Sequence, residues 1–95
     1  MNRYTVVAII TEQQSLRYTP AGVPALDLQL SHESEDQSGH DATIELTGVA
    51  FGLQAQTLVK TPLGSKLKID GFLRHSAKSK KIIVQVEHFE ILSSL

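Results

Sequence analysis

The 95-residue chain has no cysteine, no tryptophan, three prolines, five aromatic residues and no long uninterrupted apolar run. Without cysteine there is neither a disulfide framework nor a thiolate metal site, which fits a reducing compartment. The opening MNRYTVVAII gives way at once to polar TEQQS, so the apolar core and small-residue cleavage site of a secretory signal are missing. No segment approaches the roughly 20 apolar residues of a membrane span. The expectation is a soluble, cytoplasmic protein with no membrane partner. Catalysis is not expected either. No nucleophile stands beside a base, and the clustered acids Glu33, Glu35, Asp36 and Asp41 lie in a polar stretch with nothing apolar to raise a carboxyl pKa. They read as a solvated face or a docking patch for a basic protein. RYTPAG has one glycine between two prolines and cannot form a phosphate-binding nest of N–H groups. His32, His40, His75 and His88 show no metal-ligand spacing, so neither a metal nor another cofactor is expected.

What is present is a pattern of strands. With 41% apolar residues, residues 1–95 suffice for one small domain. Tyr4 to Ile10 is apolar on both faces, which marks a strand buried once in its own core and once under something else. A second copy of the chain laid against Tyr4, Val7 and Ile9 would provide that cover. RYTPAGVP is a loop. ALDLQLSH alternates with Leu26, Leu28 and Leu30 inward, ESEDQSGH is a polar turn, and ATIELTGVA resumes with Ile44 and Leu46 inward. A short helix is predicted over Leu53 to Val59, closed by Thr61-Pro62-Leu63-Gly64. SKLKIDGFLR alternates again. IIVQVEHFEIL makes a last strand whose phase slips, which a bulge near Glu87 or His88 would reconcile.

Five strands with a helix between the third and fourth is the layout of an all-β, five-stranded OB-fold Greek-key barrel. Gly48 and Gly71 fall within strands, where such a barrel must bend. A β-sandwich fragment or another small barrel are the alternative architectures.

Charge is divided along the chain. Residues 1–59 hold two basic and seven acidic side chains, and residues 60–95 hold seven basic and three acidic. Such asymmetry points to a polyanionic partner more strongly than the net charge of −1 does. The densest basic run is HSAKSKK, from His75 to Lys81, with Lys78, Lys80 and Lys81 and no acid. It reads as an electrostatic clamp on phosphates, against the plainer role of lysines that keep strand edges from aggregating.

GSKLKIDGFL (Gly64 to Leu73) is similar to the fourth-strand signature of bacterial single-stranded-DNA-binding OB-folds. RYTPAGVPALDLQLSHES (Arg17 to Ser34) resembles the first loop and second strand of the primosomal replication protein N (PriB) family, and the likeness runs from NRYTVVA to the end of the chain. The resemblance implies a homodimeric OB-fold that binds single-stranded DNA and bridges the replication-restart helicase to the next primosome factor. It implies DNA contacts by the lysines of the last hairpin loop, Arg74 to Lys81 here. Two positions depart from it. Thr43 stands where some members carry a stacking tryptophan, and Glu33 replaces a basic residue. Any DNA binding then leans on the basic loop, and an adaptor with weak or vestigial DNA binding is the alternative reading. The DNA-contact set is Lys66, Lys68, Phe72, Arg74, His75, Lys78, Lys80 and Lys81, with Arg17 and Tyr18 in the first loop. Phe72 and Tyr18 are its stacking candidates. His32 continues the inward leucines and is expected to be a hydrogen-bonded residue at the barrel end.

Overall fold

The first strand decides how the sheet is built, because it serves two neighbours in succession. β1 (Arg3–Gln13) turns Val6, Ala8 and Ile10 to the interior and leaves Val7 and Ile9 half-buried on the other side. A computed structural model of the chain describes residues 2–35, 38, 39, 41–76 and 80–93. The remaining elements are β2 (Arg17–Tyr18), β3 (Pro24–Glu35), β4 (Asp41–Phe51), α1 (Leu53–Leu58), β5 (Lys66–His75) and β6 (Ile82–Ser93).

From Arg3 to Ile9, β1 pairs antiparallel with β5. From Ile9 onward it pairs antiparallel with β3. The register there steps from Ile10–Leu30 to Glu12–Gln29, which leaves Thr11 as a bulge. β3 continues to β4, β4 runs parallel to β6 over Gly48–Ala50, and β6 returns to β5. The circuit β1-β5-β6-β4-β3-β1 is closed, so the five long strands form the OB-fold barrel that the pattern predicts.

The interior holds Ile10, Leu26, Leu28, Leu30, Leu67, Ile69 and Val84, all essentially excluded from solvent. Side chains of this size each contribute about 1.5–3 kcal/mol on burial. Helix α1 sends Ala55 and Leu58 into the same cluster and packs against β3, β4 and β6. It ends at Leu58 with Val59 as its cap, one residue short of the predicted end.

The predicted slip in the last strand is a bulge. Asp70 pairs with His88 and Gly71 with Val86, so Glu87 has no partner across the ladder. This re-phasing keeps Val84 and Val86 inside and still brings Phe89 against the core. It also draws β6 hard against β5. A methyl group on Gly71 would collide with the Gln85 carbonyl oxygen, so a residue without Cβ is required.

Three expectations need correction. Arg17 and Tyr18 fall in the predicted first loop yet form a two-residue strand against Ala25 and Pro24. The polar stretch after His32 is not wholly turn, since Glu33, Ser34 and Glu35 pair with Thr43, Ala42 and Asp41. A ladder with solvent on both faces needs no apolar alternation, so composition concealed it. Ile44 has inward parity but is 46% exposed, because the β3–β4 hairpin extends past the barrel there and leaves it no core to enter.

A Gly71→Ala substitution should cost about 1–3 kcal/mol through overpacking and lower Tm by roughly 5–20 °C in a domain of this size. Thermal denaturation followed by circular dichroism checks this; an unchanged Tm would show that β5 and β6 can separate at no cost.

Candidate functional site

On the outer surface of the barrel one cross-strand row crosses five strands. Asp27 pairs with Val49, Val49 with Gln85, Gln85 with Phe72, and Phe72 with Arg3. The rows beside it carry Gln29 opposite Thr47 and Ile83 opposite Arg74. Residues distant in sequence are thereby set side by side by register alone.

Hydrogen bonds fix several of these side chains. The Arg17 Nε donates to Asp27 Oδ2 at 2.8 Å and its Nη2 donates to Oδ1 at 3.2 Å. The hydrogen bond to Asp27, aided by its charge, raises the guanidinium pKa further above its already high value. Gln29 Nε2 donates to Thr47 Oγ1 at 3.2 Å, and Arg74 Nη1 donates to Gln85 Oε1 at 2.7 Å. Asn2 brackets the neighbouring backbone, donating from Nδ2 to the Leu73 carbonyl and accepting the Leu73 N–H on Oδ1.

A groove of about 430 Å³ lies on this face, between Arg17, Asp27 and Gln29 on one side and Arg74, Ser76 and Ile83 on the other. Its lining includes Val49, only 3% exposed although it points away from the barrel interior. Ala25, on the same side of β3 as Asp27, is also fully buried. Neither belongs to the barrel core cluster; Ala25 lies under β2, opposite Arg17, while Val49 together with Phe51 and Ile83 gives the groove its apolar lining.

The predicted contact residues separate into groups. Arg17 and Arg74 line the groove, and Phe72 is half-buried in the row beside Gln85. Tyr18 is 63% exposed and stands outside the groove. Lys66 and Lys68 lie elsewhere, directly opposite Ile9 and Val7. A partner seated on Val7 and Ile9 would therefore cover or border these two lysines. Tyr4, grouped with Val7 and Ile9 in the sequence reading, packs against the core and is on the opposite face of β1.

At the end of the β5–β6 hairpin, the Ser76 N–H donates to the Lys81 carbonyl and the Lys80 N–H donates to the Ser76 carbonyl. His75 Nδ1 donates to the Lys80 carbonyl at 3.0 Å, which ties the ring to the turn. Lys80 has φ 57, in the left-handed region, at a cost of roughly 1–2 kcal/mol for a residue with a Cβ. Lys80 and Lys81 are exposed, and among the described residues neither joins an ion pair. Lys78, Asp36 and His40 lie outside the described residues.

The two departures noted in the sequence face each other, since Glu33 pairs with Thr43 on the β3–β4 hairpin. Glu45 follows on the same face of β4, and Asp41 pairs with Glu35 at the end of the ladder. His32 donates from Nδ1 to the Val7 carbonyl at 2.7 Å, the hydrogen-bonded position expected of it. Among the described residues no three metal-ligating side chains converge, and no helix is long and apolar enough to cross a membrane.

The sequence reading missed Asp27, Gln29, Thr47, Val49 and Ile83 as groove residues. A signal was available in TGVAF, where Val49 and Phe51 continue the outward parity of Glu45 and Thr47 yet are apolar.

Comparisons with known proteins agree with this architecture. The profile of a family described as "another single-strand binding protein family" matches residues 2–88. The replication restart protein PriB of Bordetella pertussis is 44% identical over 81 residues, covering 82% of this chain and 76% of the relative. The protein of the same name from Neisseria gonorrhoeae is 32% identical over 80 residues, covering 81% and 79%. The structure of PriB from Ralstonia solanacearum superposes with TM-score 0.85 at 27% identity, covering 98% of this chain and 99% of that one. The single-stranded DNA binding protein of Thermus aquaticus gives TM-score 0.80 at 25% identity, with this chain spanning 50% of its length. By profile, by identity over four-fifths of its length and by fold, the chain belongs to the replication restart protein PriB family of single-strand binding proteins.

Proposed function

We propose that this protein is a non-catalytic, single-stranded-DNA-binding component of the replication-restart primosome, working as a homodimer in the cytoplasm. It would hold the DNA backbone through the basic turn over residues 74–81 and link the restart helicase to the next primosome factor. The observation that carries this reading is the continuity between the Gln85–Phe72 row, Arg74 and the exposed cations Lys80 and Lys81. Lysine ammonium groups on long stems suit a phosphate backbone whose geometry varies from one step to the next. Lys80 supports the same role, because a glycine or asparagine would occupy its left-handed conformation more cheaply. The surface with Val7 and Ile9 supports the dimer, since two half-buried aliphatics there gain from a second copy.

One observation favours a second reading, an adaptor whose main contacts are with proteins. The Glu33–Thr43 pair and neighbouring Glu45 make the outer face of the β3–β4 hairpin acidic, which repels a DNA backbone and attracts a basic protein surface. A fluorescence titration with a dT oligomer at low and high salt separates the two. If about three lysines per subunit touch phosphates, a dimer neutralises ~6 charges and log K should fall with log salt at a slope near ~−4. No detectable binding at low salt would favour the adaptor.

The combined variant Lys78→Glu, Lys80→Glu, Lys81→Glu should abolish this binding with little change in Tm; unaltered affinity would remove the turn from the site. Lys80→Gly alone should weaken binding modestly while holding or raising Tm, since it relieves the left-handed φ and deletes one cation. Sedimentation at micromolar concentration should give a dimer that Val7→Asp or Ile9→Asp converts to monomer. A stable monomer for the parent protein would refute the assembly.

A further inference from the structure

We propose that a second groove, between helix α1 and the end of β6, docks a peptide segment of a partner protein that combines bulky apolar side chains with a carboxylate. The proposal goes beyond the DNA-binding reading above and does not depend on it.

The groove measures about 750 Å³, within the size range of ligand pockets. Leu16, Leu53, Val59, Pro62 and Ile91 supply its apolar wall. Leu16 and Val59 also pack against the barrel core, so the wall is continuous with the interior. Ile91 pairs with the fully buried Leu67 and yet is 48% exposed, outside the core cluster. It takes the inward side of β6 and finds no core there to cover it. The outer face of α1 completes the site. Leu53, Gln56 and Thr57 on the helix, with Lys60 in the turn after it, recur at helical spacing and line the groove, whereas Ala55 and Leu58 are buried. Leu53 is 73% exposed, an apolar side chain without cover at one end of that stripe, and Lys60 is an exposed cation at the other.

Charge selects the occupant. Among the described residues Lys60 is the one charged side chain of the lining, and it joins no ion pair. A basic segment is repelled there, and a neutral one strips water from an ammonium without replacing it. A carboxylate opposite Lys60 removes that cost. One ammonium is too little for a DNA strand, whose affinity grows with the number of phosphates neutralised. The nearby backbone acceptors are already engaged. The Val59 and Thr61 carbonyls accept from Gln13 Nε2 at 3.3 Å, and the Thr57 carbonyl accepts from Thr61 Oγ1 at 3.1 Å. Recognition therefore falls to side chains, apolar groups on the wall and an acid on Lys60. Ile82 and Ile91 stand nearly the whole length of the 12-residue β6 apart, roughly 25–30 Å at about 3.3 Å per residue. A peptide in this groove thus leaves Lys80 and Lys81 uncovered.

The experiment pans a random octapeptide library displayed on phage against the full-length protein. Enriched peptides should carry aspartate or glutamate within a few residues of a bulky apolar side chain, and a labelled copy should bind by fluorescence anisotropy. Leu53→Ser and Lys60→Glu, both at exposed positions, should each weaken that binding at least tenfold with Tm unchanged. Exchanging the peptide's acid for lysine should weaken binding to the parent protein and restore it to the Lys60→Glu variant, which a merely structural effect would not do. Saturating dT oligomer should leave the peptide bound, and Leu53→Ser should leave dT affinity unchanged. Enrichment of no peptide, enrichment of basic peptides, binding that survives both substitutions, or displacement by dT overturns the proposal. A dimer that Leu53→Ser converts to monomer also overturns it, because the groove would then seat a second copy of the chain. If dT does not bind at all, the DNA-binding reading fails, and the charge exchange at Lys60 still decides the groove.

Discussion

The barrel and everything in its interior depend on β1 changing neighbour at Ile9. One strand that pairs with β5 along its first half and β3 along its second turns an open sheet into a closed one. That change requires a sharp bend, and the Thr11 bulge supplies it. Once closure is imposed, the interior volume is fixed, and the Leu26, Leu28, Leu30 series of β3 faces Ile10, Leu67 and Ile69 across it. The outer row has a separate origin: Asp27 and Phe72, far apart in the chain, are connected by three successive pairings of β3, β4, β6 and β5 that do not involve β1.

The interior was legible in the sequence and the outer face largely was not. Alternating leucines, the helix before Thr61-Pro62 and the phase slip around Glu87 are local patterns with local causes, and the structure carries each of them. The groove arises from register among β3, β4 and β6. Register between strands remote in sequence leaves no periodic trace. The β3–β4 hairpin failed for another reason. Glu33 to Glu35 have the composition of a turn and are held as strand by backbone pairing with Asp41 to Thr43, to which side-chain chemistry is indifferent. Lys66 and Lys68 illustrate a limit of parity. They share a side of β5 with Phe72 and Arg74, yet register places them beside Ile9 and Val7, in a different neighbourhood of the same surface.

Two strained or crowded positions bracket the β5–β6 hairpin. Gly71 lets the two backbones approach where no side chain would fit, and Lys80 adopts a left-handed φ at the far end. The first sets the phase of β6, so that Gln85 meets Phe72 and receives the Arg74 guanidinium. The second is closed by main-chain bonds between Ser76 and Lys81 and by the His75 ring on the Lys80 carbonyl. A hairpin pinned at both ends holds its intervening rungs in fixed register, and those rungs carry Arg74 and Ile83 to the edge of the groove.

The separation of charge between two hairpins has a further consequence for encounter. A chain with net charge −1 exerts almost no monopole force on a distant polyanion, but acids on the β3–β4 hairpin and cations on the β5–β6 turn give it a dipole moment. In the field of a nucleic acid a dipole feels a torque before it feels a contact. A molecule that binds as proposed would be rotated during its approach, so that the fraction of collisions in productive orientation rises without any gain in affinity once bound. On the proposed DNA-binding function, orientation during diffusion as well as strength of grip would follow from the placement of Glu33, Glu45, Lys80 and Lys81.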